Sequence, residues 1–318
     1  MKVLREYNYI REEKNKQTKK VVILTMRDYE SPGNLSSTVA VVAKELKKRS
    51  IDHYILFVEN ALVEVDNGTI KCYNVDDHKG YEINKNDTVV LNRITTSETL
   101  GGIGIVSQLE KNGFNVVNSR DCVETCADKY RTVLRLAENG ITVPKTILIQ
   151  DEDVLDRVIG GLSFPIVVKT LTGSEGVGVF ISESKMNLKS VLQAVWKLRE
   201  GTEVILQNFI ETDGDIRAFF IDGEYTASMK RIKIKDDFRS NFSLGGDTEK
   251  YTLTPEQIQI CKKCCKIVGG SILGIDMMIA KDDTVFVIEV NSSPGTTGIM
   301  KTSGVNVAGK MIDYLMTL

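Results

Sequence analysis

Residues 271–295 read SILGIDMMIAKDDTVFVIEVNSSPG, two apolar runs joined by a polar turn, with acids at positions where a core strand is ordinarily apolar. The pattern predicts a β-hairpin. If Asp282 and Asp283 form a two-residue loop, Lys281 pairs with Thr284, and counting back along both strands sets Asp276 opposite Glu289. Side chains alternate along a strand, so Asn291 shares the face of Glu289, one pleat further on. Two carboxylates across a ladder, with Cβ atoms about 5 Å apart, repel one another unless a cation sits between them. Magnesium takes such an oxygen set and completes its shell with water and substrate phosphates. The plainer alternative is a solvated hairpin face carrying two unrelated acids.

Working outward, FPIVVKTL (164–171) is an apolar strand with one lysine, Lys169, running into GSEGVGVFIS (173–182), a glycine-rich turn and a second strand. A lysine inside an apolar strand needs a partner, and an anion is the obvious one. Backbone amides at a tip containing Gly173, Ser174, Gly176 and Gly178 can approach phosphate oxygens, because glycine tolerates the required φ and puts no side chain in the way. A structural turn would carry the same glycines. LKSVLQAVWKLRE (188–200) is an amphipathic helix and EVILQNFI (203–210) a strand; DIRAFFIDGEYTASMKRIKI (215–234) then folds back about Asp222 and Gly223. Arg217 sits on its first strand and Lys230, Arg231 and Lys233 on its second, either as a solvated face or as an anion-binding wall. KDDFRSNFSLGGD (235–247) is a polar loop with Arg239 and Asn241, and Pro255 after Thr254 opens a helix to about Val268. Beyond the hairpin, SSPGTTGIMKTSG is expected to be a loop before a final helix from about Val305 to Met316.

Upstream, residues 1–20 are expected to be a charged flexible arm, and residues 21–120 to alternate strand and helix. VVILTM (21–26), YILFV (54–58), TVVLN (88–92) and NVVN (115–118) are strands of an α/β unit with a parallel sheet, with helices at Ser36–Arg49 and near 97–112. RDYESPGN after the first strand lacks GxGxxG, which excludes a dinucleotide fold of the Rossmann kind. From Asp121 the texture changes: a helix from Cys126 to Glu138 stops at Asn139 and Gly140, the extended ITVPKTILIQ follows, and another helix starts near Asp151. Gly304, Gly309 and Lys310 mimic a P-loop, but Met311 stands where Ser or Thr is needed and no strand precedes them.

Composition bounds the rest. The 318 residues suffice for two or three domains, and a net charge of −2 from 41 basic and 43 acidic residues gives no global field for nucleic acid or an anionic membrane. No apolar run has the length of a membrane span, and the N-terminus lacks a secretory stretch, so a cytoplasmic protein is expected. Six cysteines fit a reducing compartment; without a second CxxC pair, Cys261, Cys264 and Cys265 read as buried thiols on a helix and not as zinc ligands.

In order and content these parts resemble the ATP-grasp superfamily, and within it the RimK-like ligases that add glutamate to a ribosomal protein tail. The resemblance spans about residues 20–318 and rests on DKYRTVLRLAENGITVP (128–144), VVKTLTGSEGVGV (167–179), DIRAFF (215–220), DFRSNFSLGG (237–246) and VIEVNSSPGTTGIMKTSGVNVAGKMI (287–312). It implies an α/β ATP-grasp fold: an N-terminal α/β domain (21–120), a small subdomain with a glycine-rich lid (121–203) and a C-terminal subdomain with the metal site (204–318), the last two clasping ATP. Asp276, Glu289 and Asn291 fall on the family's metal ligands, with Glu289 bridging two magnesium ions for which manganese can substitute. Lys129 and Lys169 fall on lysines that hold phosphates. Arg239, Ser240 and Asn241 resemble the triphosphate and intermediate site, Arg217 and Arg231 resemble binders of a carboxylate or acyl phosphate, and Asp215 resembles the acid at the ribose. The adenine hinge is Gln207, Asn208 and Phe209; Asn208 replaces the family's usual Glu, which removes one side-chain contact to the base.

The implied reaction is ATP-dependent carboxylate–amine ligation through an acyl phosphate, adding an amino acid, glutamate by resemblance, to the carboxylate of a peptide or protein. A small-molecule or dipeptide ligase of the same superfamily is the alternative, and a nucleotide-binding regulatory protein without turnover is an alternative of another class. The resemblance further implies a symmetric homo-oligomer.

Overall fold

A computed structural model describes residues 19–28, 31, 33, 35–67, 69–77, 80–94, 100–171, 178–198, 201–233 and 247–318. The chain divides into two compact units, the first built from residues up to 94 with 100–117 and 308–318, the second from 118–307.

The first unit holds β1 (Lys20–Thr25), α1 (Ser37–Lys48), β2 (His53–Phe57), β3 (Ala61–Asp66), β4 (Thr69–Asn74), β5 (Tyr81–Ile83), β6 (Thr88–Asn92), α2 (Leu100–Lys111) and β7 (Asn115–Val117). Strands β2, β1, β6 and β7 lie side by side in that order, all parallel, as the alternation of strand and helix predicts. β6 is buried along its whole length, the signature of a parallel strand covered on both faces. Ser36 caps α1 by accepting from the Val39 N–H, and Val39, Val42 and Leu46 form its buried stripe. β3, β4 and β5 make a separate antiparallel sheet that the sequence did not disclose.

The second unit comprises α3 (Arg120–Ala127), α4 (Lys129–Glu138), β8 (Thr146–Ile149), α5 (Leu155–Val158), β9 (Ile166–Thr170), β10 (Val179–Ser182), α6 (Lys185–Leu198), β11 (Val204–Asn208), β12 (Gly214–Ile221), β13 (Glu224–Ile232), β14 (Thr248–Lys250), α7 (Pro255–Val268), β15 (Ile272–Ile279), β16 (Val285–Asn291) and α8 (Thr297–Ser303). One antiparallel sheet runs β10-β9-β11-β8 and a second runs β14-β13-β12-β15-β16. Leu188 and Leu192 of α6 cover the first sheet, in a core with Ile166, Val168, Val204 and Leu206. α3, α4 and α7 cover the second, and the buried thiols Cys122, Cys126, Cys261, Cys264 and Cys265 share that core with Ile216, Phe220, Leu273, Ile275 and Met277. Helix α9 (Val307–Leu315), the last element, belongs from Ala308 onward to the first unit.

Three elements depart from the sequence expectation. The helix expected over 126–138 is two helices, because Asp128 adopts an extended conformation and its carboxylate accepts from the Tyr130 and Arg131 N–H groups, starting α4 afresh at Lys129. SSPGTTGIMKTSG contains α8, which buries Ile299 completely and ends at Gly304 in the left-handed region, φ 77°. The hairpin at Asp222 and Gly223, with φ of 52° and 71°, has the expected two-residue turn. The hairpin of β15 and β16 does not: its loop is one residue longer, with Ala280 N–H donating to Thr284 O and Asp283 left-handed at φ 64°. That slip is cancelled further along, where Met277 pairs with Val287 but Asp276 pairs with Glu289, leaving Ile288 as a bulge.

Candidate functional site

The second sheet of the second unit gathers charge on one face. Asp276 on β15 is directly opposite Glu289 on β16 and directly opposite Arg217 on β12, so the three form a row across adjacent strands. Asp215, two residues before Arg217, pairs with Arg231 on β13. Gly274 makes room for this row: a Cβ there would lie 3.3 Å from Arg217 Cδ and 2.8 Å from Pro294 Cβ.

The ions are joined as a chain. Arg217 donates to both Asp276 oxygens, Nη2 to Oδ2 at 2.6 Å and Nε to Oδ1, while Arg231 Nη2 donates to Asp276 Oδ2 at 2.9 Å. Arg231 also donates to Asp215 Oδ2, through Nη2 and through Nε at 2.9 Å. Asp215, Arg231 and Asp276 are 4%, 7% and 4% exposed. Burial opposes ionisation of Asp276, but the guanidiniums of Arg217 and Arg231 outweigh it and hold the carboxyl below its ordinary value. Burial likewise works against charge on Arg231, and the two aspartates overcome it and raise its pKa.

Two lysines lie near this row. Lys169, on β9, is pushed down to about 8 by burial, with Glu289 supporting its charge and Lys129 opposing it. Lys129, the first residue of α4, is lowered by burial against support from Glu289 and Asp128, and its Nζ donates to Leu171 O at 3.4 Å. The break at Asp128 therefore matters: it places Lys129 where Glu289 acts on it. Lys169 Nζ donates to Gln207 Oε1 at 2.8 Å, and Gln207 Nε2 donates to Thr146 Oγ1 at 2.8 Å.

At the hinge, Asn208 Oδ1 accepts from Ser163 N–H at 3.2 Å and its own N–H donates to Lys145 O at 3.0 Å, so its side chain serves the local backbone. The Phe209 ring lies under Lys233 Nζ, 5.5 Å from the centroid. Gly178 is left-handed at φ 74°, where a Cβ would come within 2.5 Å of Thr170 Oγ1. Gly173, Ser174 and Gly176, with Arg239, Ser240 and Asn241, lie outside the described residues.

The acidic hairpin can be tested against a hard cation. Among the described residues no group of three or more His, Cys, Asp or Glu side chains could hold a metal. The candidate set includes an amide, however. Asn291 Nδ2 is a buried atom with no hydrogen-bond partner, and the two ends of a carboxamide exchange by a flip of the terminal torsion. Glu289, Asn291 and, once released by Arg217 and Arg231, Asp276 then offer oxygens on one face, a set that fits magnesium.

One site residue escaped the sequence. Asn118 is 3% exposed, and its carboxamide makes four hydrogen bonds at the open end of the β15–β16 hairpin. Nδ2 donates to Ile272 O at 2.6 Å and Ser292 O at 2.7 Å, and Oδ1 accepts from Ser271 N–H at 2.7 Å and Ile272 N–H at 3.0 Å. An Asn closing a strand carries no signal of such a task.

Residues 126–315 match the RimK-like ATP-grasp domain, and the chain belongs to that family. A probable alpha-L-glutamate ligase of Picosynechococcus sp. is 36% identical over 257 residues, covering 77% of this chain and 84% of that protein. One from Maridesulfovibrio salexigens is 35% identical, covering 82% and 91%. Among solved structures, the ATP-grasp ligase PsnB complexed with minimal precursor, Mg and ADP superposes with a TM-score of 0.70 at 17% identity, over 93% of this chain and 97% of that one, a likeness of fold.

Proposed function

We propose that this chain is an ATP-dependent ligase that joins glutamate to the carboxylate of a peptide or protein, forming an amide bond with release of ADP and phosphate. The observation that carries this is its identity with probable alpha-L-glutamate ligases along most of their length. A small-molecule or dipeptide ligase and a non-catalytic nucleotide binder are not favoured.

The carboxylate attacks the γ-phosphate to give an acyl phosphate, and the amine then displaces phosphate. Two anions meet in the first step, so the demand on the protein is positive charge placed in advance. Lys129 and Lys169 serve the phosphates, and Gln207, Asn208 and Phe209 line the adenine. Asp215, buried against Arg231, is assigned to the ribose side. Arg217 holds the carboxylate or acyl phosphate, and Arg239, Ser240 and Asn241 belong to the triphosphate site. Asp276, Glu289 and Asn291 would hold magnesium, two ions by the family pattern and with manganese as a substitute, which would neutralise charge on the transferring phosphoryl group. An acyl phosphate hydrolyses in water, and the tip at 173–178 is assigned the part of a lid that excludes it. The chain is assigned to the cytoplasm as a symmetric homo-oligomer without nucleic-acid contacts; among the described residues no helix is long and apolar enough to cross a membrane.

Mass spectrometry tests this, on mixtures of the protein, ATP, magnesium, single amino acids and acceptor peptides, with ADP followed in parallel. Peptide masses raised by whole glutamyl units are expected. ADP formed only with small carboxylates would transfer the chain to the dipeptide-ligase alternative, and bound ATP without ADP in any mixture would remove the enzymatic function.

A further inference from the structure

We infer that Gln207 and Thr146 are positioning residues for Lys169, acting through a hydrogen-bond chain of fixed polarity across three strands. The inference rests on Lys169 being a phosphate ligand, as proposed above. Thr146 and Gln207 are directly paired on β8 and β11, and Lys169 lies on β9, diagonal to Gln207. The Pro144 carbonyl can only accept, so the Thr146 hydroxyl, 2.8 Å away, donates to it. One of the two lone pairs on the same oxygen accepts from Gln207 Nε2 at 2.8 Å. The carboxamide is thereby oriented, and Oε1 must face Lys169 Nζ, 2.8 Å away. Gln207 is 3% exposed, which leaves it no water with which to compensate for the opposite orientation.

The chemistry suits an ammonium that must keep its charge. A carboxylate at 207 would fix Lys169 equally well but would neutralise it and compete with phosphate. A neutral acceptor holds the lysine in place and leaves its charge for the ligand. Without Thr146 the amide can turn its NH2 toward the ammonium, setting donor against donor. The role of Gln207 in nucleotide binding is then exerted by its side chain through Lys169, beside any backbone contact to the base.

Calorimetric titration with ADP and magnesium tests this on the full chain, using Thr146→Val, Thr146→Ser, Gln207→Glu, Lys169→Met and the Lys169→Met/Thr146→Val double variant. Thr146→Val should weaken ADP binding about tenfold, the scale of a hydrogen bond to a charged group, and Thr146→Ser should restore it. Gln207→Glu should weaken it at least as much. In the Lys169→Met background, Thr146→Val should cause no further loss, which a merely structural role would not give. Wild-type affinity in Thr146→Val, with Lys169→Met weakened, overturns the inference alone. Wild-type affinity in Lys169→Met overturns the phosphate assignment beneath it. Thermal midpoints identify any variant that fails to fold, and Gln207→Glu then carries the test.

Discussion

The Arg231 guanidinium bridges Asp215 and Asp276, two buried carboxylates, the second of which Arg217 also holds. Replacing a buried pair by apolar groups can be neutral, but removing one partner leaves uncompensated charge. Arg231→Met should therefore cost about 3–5 kcal/mol in urea denaturation. Asp215→Asn in the same chain should restore part of that loss. A stability equal to the wild type would mean that the aspartates take up protons or water at little cost.

Glu289 contributes differently. It is half-buried and supports the charge of Lys129 and Lys169. Glu289→Gln is expected to abolish ADP formation while circular dichroism and the urea midpoint stay close to wild type. Magnesium-dependent turnover retained in that variant would refute the metal assignment.

Lys169 should make nucleotide binding pH-dependent. Its pKa is about 8 in the folded chain, against the ordinary 10.5, with Glu289 and Lys129 as the charges that act on it. The unfolded chain holds the proton up to 10.5, so this site costs stability below pH 8 and the cost fades as pH rises toward 10.5. Phosphate binding has the opposite sign: it needs the ammonium, and ADP affinity should fall as pH rises through about 8. Lys169→Arg should flatten the profile between pH 7 and 9.5, by roughly the reach of a guanidinium pKa above 12. A wild-type affinity independent of pH across that window would contradict the assignment.

Asn118→Ala should loosen the open end of the β15–β16 hairpin. The buried backbone groups of Ser271, Ile272 and Ser292 lose their partner, at a cost of about 2–4 kcal/mol. Hydrogen exchange should rise first at Ser271 and Ile272. Unchanged protection there would mean that other groups hold the strands together.

The hairpin that decides the fold was legible for a reason that is partly fortunate. Counting from a two-residue turn gives Asp276 opposite Glu289, and the structure agrees, yet through a longer loop and a bulge at Ile288 whose offsets cancel. Sequence periodicity reports which residues share a face, and a bulge preserves that sharing while shifting the count. Lys169 was legible as a lysine in an apolar strand, whereas Thr146 was not, because threonine is ordinarily enriched in strands. The sheet of β3, β4 and β5 was missed because Val63 and Val65 are exposed, so ALVEVD has no buried face to set a period. The break at Asp128 was missed because the residues on both sides of it are good helix formers, and one capping carboxylate decides the matter.

All six cysteines are reduced and buried, and burial raises the thiols of Cys72, Cys264 and Cys265 to about 12. They lie in the cores of both units. A thiolate must form and meet reagent before alkylation can occur, so the native chain is mute to iodoacetamide. Each adduct then marks a molecule that has opened, and the position of the adduct names the unit that opened. The chain thus carries a mass-readable clock for its own breathing, usable in a crude extract without a fluorophore or a tag.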